Sequence, residues 1–308
     1  MAFLLRPKES VAHGLRRLAT RGLRSAQHVL RRTDPPSDRS IHEARKSVKK
    51  VRAIIELIEA DGWRGLADCQ KRLRKVNHTL SELRDAVAML ETLTSLSKRN
   101  PQLFDGRTFS RVRRHLSSHK HSLMIAAQQD RTWKTIDRHL RKLRQGAERW
   151  RPGHRQFGAL AAGIQVAHRL GRKAMARAKK RQGPADFHEW RKQIKILWYQ
   201  LRLVAARSPV IRQDVQRLHH AQAWLGDDHN VAVLWTELSK DASLCDLGRL
   251  RHAADRYQSA LRRKSLASTT RIYADAPSKY VGRVKHAWHA SRRRSKKRRT
   301  RRPRRPVA

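Results

Sequence analysis

Two stretches of the chain offer the same chemistry at the same spacing: His42-Glu43-x-Arg45-Lys46-x-x-Lys49 and His188-Glu189-x-Arg191-Lys192-x-x-Lys195, 146 residues apart. Each sets one imidazole beside three cations, a set made almost wholly of hydrogen-bond donors. Positions i, i+3, i+4 and i+7 share one helix face, so each copy forms a donor stripe about 10 Å long. Arg brings a planar fork, Lys a mobile point charge, and His a donor whose charge follows its surroundings. Such a stripe suits closely spaced anionic oxygens. A lone basic stripe on an exposed helix is ordinarily a solvated face. Two at matched positions point instead to a duplicated polyanion site. Glu43 and Glu189 lie about 100° off the stripes, placed to pair with neighbouring bases or favour the helix N-terminus rather than to act as catalytic bases.

The stripes require a helix behind them, and the surrounding residues supply it. With His42 at 0°, Arg45, Lys46 and Lys49 fall at about −60°, +40° and −20°. Ile41, Ala44, Val48, Val51, Ile55 and Ile58 gather on the opposite side, and Phe187, Trp190, Ile194, Leu197, Leu201 and Val204 do the same relative to His188. Pro35-Pro36, Pro101, Pro152, Pro184, Pro209 and Pro277 punctuate the chain. Helical periodicity covers roughly 9–32, 39–60, 66–98, 107–127, 131–149, 155–181, 186–206, 210–240 and 246–291, and no alternating strand pattern stands out. The chain reads as all-α.

A second matched segment follows each stripe. Residues 80–90, Leu80-Ser81-Glu82-Leu83-Arg84-Asp85 onward, align with 225–235, Leu225-Gly226-Asp227-Asp228-His229-Asn230 onward, at an offset of 145. Both read as a short polar break before an apolar helix start, with Asp85 or Asn230 placed to satisfy free backbone N–H groups. Two motifs at nearly one offset predict an internal duplication: helical bundles over 8–150 and 151–290, with a boundary near Arg151-Pro152-Gly153. The helices leading into the stripes also carry bases: Arg17, Arg21 and Arg24 in the first half, Arg169, Arg172 and Lys173 in the second.

Composition sharpens the ligand class. The 308 residues include 72 Lys+Arg against 25 Asp+Glu, a net charge of +47. Removing the 11 basic residues of the last 18 still leaves +36 on residues 1–290, so the excess belongs to the body as well as the tail. A body this cationic repels itself and calls for a polyanion; nucleic acid, anionic membrane and polyphosphate all qualify. The tail, 291–308, has nothing to bury and is expected to be disordered. Cys69 and Cys245 form no metal or redox spacing, and no apolar run has the length of a membrane span, so a cytoplasmic protein is expected.

These features together resemble the CHAD domain, the conserved histidine α-helical domain, over roughly residues 8–290. The resemblance rests on the repeated H-E-x-R-K-x-x-K helix, the Arg84-Asp85 and His229-Asn230 segments and the all-α pattern. It implies two four-helix bundles of long antiparallel helices related by a pseudo-twofold axis, and binding of inorganic polyphosphate in a basic groove between them. The contacts it implies are His42, Arg45, Lys46, Lys49, His188, Arg191, Lys192 and Lys195, with Arg17, Arg84 and Arg172 as further candidates. Asn230 departs from the aspartate expected there, and Lys50 is matched by Ile196. The resemblance further points to polyphosphate granules as the place of action.

Other functions find less support. No phosphate-binding glycine loop or nucleophile elbow occurs, and the alternating acidic motif of the triphosphatase domain often fused to this family is absent, so a non-catalytic binding protein without cofactor is expected. His115 and His119 stand four residues apart but lack further ligands at zinc spacing. The alternative is nonspecific nucleic-acid binding through the basic surface and tail. Against it, aromatic residues make up only 6% and do not interleave with the stripes.

Overall fold

A computed structural model of the chain describes residues 3–6, 9–103, 106–150, 156–205, 208–241 and 247–300; the side chains of 291–300 are not described. Ten α-helices follow in order: α1 (Val11–Leu30), α2 (Asp38–Ala60), α3 (Ala67–Arg99), α4 (Gly106–Gln129), α5 (Thr132–Ala147), α6 (Gly158–Arg181), α7 (Pro184–Arg202), α8 (Pro209–Leu238), α9 (Gly248–Ala274) and α10 (Pro277–Thr300). No strand occurs among the described residues, and the all-α reading holds.

Local chemistry sets the helix ends. Ser10 and Ser37 cap α1 and α2, accepting from the backbone N–H of His13 and Ser40 at 3.2 Å each. Pro184 and Pro209 open α7 and α8, where a missing N–H costs no hydrogen bond. Pro277 does the same for α10, which splits the single stretch expected over 246–291 into two helices. The last helix runs on to Thr300, ten residues into the segment expected to be disordered. Arg and Lys are good helix formers, so a helix already begun extends through them. Arg151-Pro152-Gly153, the expected boundary, lies outside the described residues, as does Cys245.

The neighbours of each helix run in the same order in both halves. Helix α1 packs on α2 and α5, α2 on α3, and α3 on α4 and α5; likewise α6 packs on α7 and α10, α7 on α8, and α8 on α9 and α10. Across the halves, α2 meets α6 and α7, and α3 meets α8. The apolar faces of α2 and α7 drive this: Ile41, Val48, Val51, Ile55 and Ile58, and Phe187, Trp190, Ile194, Leu197, Leu201 and Val204, are essentially inaccessible. Burial of each such side chain contributes about 1.5–3 kcal/mol. Gly163 on α6 lets the halves approach, since a Cβ there would fall 2.8 Å from the Cα of Leu57.

Two hydrophobic clusters result, and each draws on both halves. The larger joins α1, α2 and α5 to α6, α7 and α10. The smaller joins the far ends of α3 and α8 to α4 and α9 through Leu93, Leu96, Val112, Leu116, Leu234, Leu238 and Leu250. With their cores on α2 and α7 inward, these two helices leave their opposite faces to one shared cleft.

Candidate polyanion-binding site

The stripes of α2 and α7 converge. Their walls are completed by polar stripes on α3 and α8: Asn77, Ser81, Arg84, Asp85 and Ala88 on one, His219, Gln222, Ala223, Gly226, Asp227 and Asn230 on the other. This corrects one reading of the sequence. The segments around Arg84-Asp85 and His229-Asn230 are not helix breaks, because α3 and α8 run through them unbroken. Their polar residues interrupt the apolar pattern because they face the cleft, and Asp85 accepts a hydrogen bond from Arg45 at 3.2 Å instead of capping a helix.

The cleft consists of two concavities that share a waist. The larger, about 350 Å³, holds His42, Lys46, Arg84, Trp198 and His219. The smaller, about 120 Å³, holds His188, Lys192, Arg52, Asn77 and Ser81. Arg45, Lys49, Arg191, Lys195 and Tyr199 line both, so four basic side chains from two helices stand where the concavities meet. Gly226 permits this crowding: a Cβ there would lie 3.0 Å from a terminal nitrogen of Arg191. Arg191 also donates to the backbone carbonyl of Gln222 at 3.3 Å, which fixes its guanidinium.

The waist is short of negative charge. Lys49 and Lys195, one from each stripe, line the same space, so their charges disfavour each other. Burial, then the Arg45 and Arg191 charges, pushes Lys49 down to about 6, and burial with Arg191 and Lys49 holds Lys195 well below the usual lysine range. Arg191 is pushed down to about 10 by burial and by Arg45. Burial also lowers Arg45, against the opposing pull of Asp85. His188 falls to about 4 through burial and the Lys192 and Arg191 charges, and His42 falls through burial, Arg84 and Lys46. Arg45 Nε and His188 Nδ1 are buried without a hydrogen-bond partner. An anion in the waist would offset the mutual repulsion of Arg45, Lys49, Arg191 and Lys195.

Outside the waist, the two motif glutamates pair with the lysine three residues on, Glu43 with Lys46 at 2.9 Å and Glu189 with Lys192 at 3.1 Å. Arg84 faces the larger mouth and is held by Glu91 through two bonds, at 3.0 and 2.5 Å. Two expected contacts lie elsewhere. Arg17 is gripped by Glu9, with its Nε at 2.8 Å, and lines neither mouth, because its face of α1 turns toward the N-terminal segment. Arg172 is exposed on α6 and also lines neither mouth. His115 and His119 face Glu237 and Asp241 across α4 and α8, at 3.3–3.6 Å. No group of three or more metal-ligating side chains suited to a metal ion occurs among the described residues.

The sequence reading missed Tyr199, Trp198, Gln222, His229 and Arg52. Tyr199 stands four residues after Lys195, so extending the stripe by one turn would have found it. His229 occupies the position matched to Arg84, and its ring packs on His188 with centroids 3.8 Å apart.

An all-helical protein with a cationic cleft between two halves of like helix order is thereby defined. The family model of the CHAD domain matches residues 23–239, and the chain belongs to that family. It is similar over 94% of its length to the crystal structure of the CHAD domain from the plant Ricinus communis, covering 95% of that chain with a TM-score of 0.60 and 17% identity. No curated protein matches the chain. No described helix is long and apolar enough to cross a membrane.

Proposed function

We propose that the chain binds inorganic polyphosphate, laid through the waist with phosphates reaching both mouths, and that it does so without chemical turnover. The observation that carries this reading is the convergence of Arg45, Lys49, Arg191 and Lys195 on one space where, among the described residues, only Asp85 is in direct salt bridge to them. Consecutive phosphates of a polyphosphate supply dense negative charge without bases, which is what four crowded donors require. His42, Lys46 and Arg84 would take the chain at one mouth, and His188 and Lys192 at the other. The like neighbour order of α1–α5 and α6–α10 supports a pseudo-twofold relation between halves that places these mouths as counterparts. Association with polyphosphate granules follows from the same affinity. Calorimetry with size-fractionated polyphosphate tests the site: unchanged affinity after Arg45→Glu plus Arg191→Glu would mean the groove is wrongly placed.

The net charge of +47 favours nucleic acid as the second reading. Competition separates the two. Long polyphosphate displaces DNA from a protein shortened at residue 290 far better than the reverse if the waist is the main site, and the opposite order favours nucleic acid.

A further inference from the structure

The two mouths share a waist but not a rim. At the larger mouth Trp198 lies against His219 with ring centroids 5.3 Å apart and planes 17° from parallel. Arg202 stands 4.7 Å from the Trp198 ring centre, so that ring is engaged by both neighbours. One helical step on, His220 stacks with Trp224 at 5.7 Å and 26°. Gln222 holds His219 Nδ1 at 3.3 Å, which fixes the ring's orientation, and the His219 residue itself is exposed. Burial, His220 and Arg202 lower its basicity. The smaller mouth carries Arg52, Asn77 and Ser81 where this shelf would be.

A bare phosphate chain has no use for a flat aromatic surface, because it has no π face. A ligand carrying phosphates at one end and a base at the other uses both parts of the larger mouth. We infer that the cleft also accepts nucleoside polyphosphates, with the phosphates at Arg45, Lys46 and Arg84 and the base stacked on His219. The crowding of the waist cations favours consecutive phosphates over the single, widely spaced phosphates of a nucleic-acid strand. The inference rests on the waist being a phosphate site.

Calorimetry on the full chain with EDTA present tests it, comparing adenosine 5′-triphosphate with ribose 5-triphosphate, which differ only by the base. The adenosine compound is expected to bind about tenfold more tightly, as one stacked base provides. His219→Ala should bring the ratio to near one, and His219→Phe, which keeps a ring, should restore it. Equal affinities in the parent protein, or a ratio that survives His219→Ala, would overturn the inference. So would a base effect seen with single-stranded oligoadenylate and not with the mononucleotide. Long polyphosphate run alongside separates the two proposals: if it binds while neither triphosphate does, the base shelf is lost and the polyphosphate reading stands. If it fails to bind, the polyphosphate reading falls.

Discussion

The larger mouth and the smaller one are built on matched positions and reach different chemistry. Where the first places Arg84 beside His42, the second places His229 against His188. The guanidinium brings a planar fork of donors. The two imidazoles, packed at a tilt, are both held neutral, His188 at about 4 and His229 lower still, because burial and the nearby cations penalise a further proton. Trp198 and Arg52, also matched at an offset of 146, differ likewise: an aromatic surface at one rim, a cation at the other. On the proposed reading, the shared waist sets what the cleft holds, and the rims set how each end of the ligand is met.

The comparison can be broken most forcefully at the waist. Arg45→Glu with Arg191→Glu should lower polyphosphate affinity at least a hundredfold by calorimetry, since it reverses two charges in a recessed site. A loss confined to one chain-length class would instead mean that the mouths bind independently.

Next in size is pH. Free Lys49 loses its proton above about 6, and a bound phosphate chain would restore the charge, so binding takes up a proton. Affinity should then fall close to tenfold per pH unit between about 7 and 9, with proton uptake visible as a dependence of the binding enthalpy on buffer. Without ligand the sign runs the other way for stability. The unfolded lysine holds its proton to about 10.5 and the folded one only to about 6, so the unfolded state binds more protons in between. Denaturant midpoints of the free protein should therefore rise with pH across that window as far as Lys49 governs them.

Single rim substitutions should act more weakly and unequally. Arg84→Ala is expected to cost about tenfold in affinity through loss of a charge-assisted contact, and His229→Ala less than threefold. Equal losses would show that the mouths do not differ in use. The smallest effect expected is a gain: His229→Arg, which copies the first mouth onto the second, should tighten binding about threefold, measured by the same titration.

The stripes were legible in the sequence because they sit on helices whose apolar residues repeat cleanly. Ile41 through Ile58 and Phe187 through Val204 fixed which face of α2 and α7 had to be buried, and so which face stayed free. The walls were harder to read. On α3 and α8 the polar residues Asn77, Ser81, Arg84 and Asp85, and Gln222 through Asn230, weaken the helical pattern and imitate a break; only tertiary packing shows that they line a cleft. Arg17 illustrates the opposite failure. The family resemblance made it a candidate contact, but Glu9, distant from any motif, claims it. The aromatic shelf was invisible because Trp198 and His219 meet from different helices, and no spacing rule links residues 21 positions apart on separate elements.

The two hydrophobic clusters carry a consequence for how the chain can be divided. Because each cluster takes side chains from both halves, cutting between α5 and α6 would expose the partner-facing surfaces of Leu57, Leu93 and Leu160 to water on separate fragments. Neither piece would keep a closed core of its own. The two halves are thus locked into one cooperative folding unit: heating or denaturant should melt them in a single transition, and a gene truncated at the midpoint should yield an aggregating fragment.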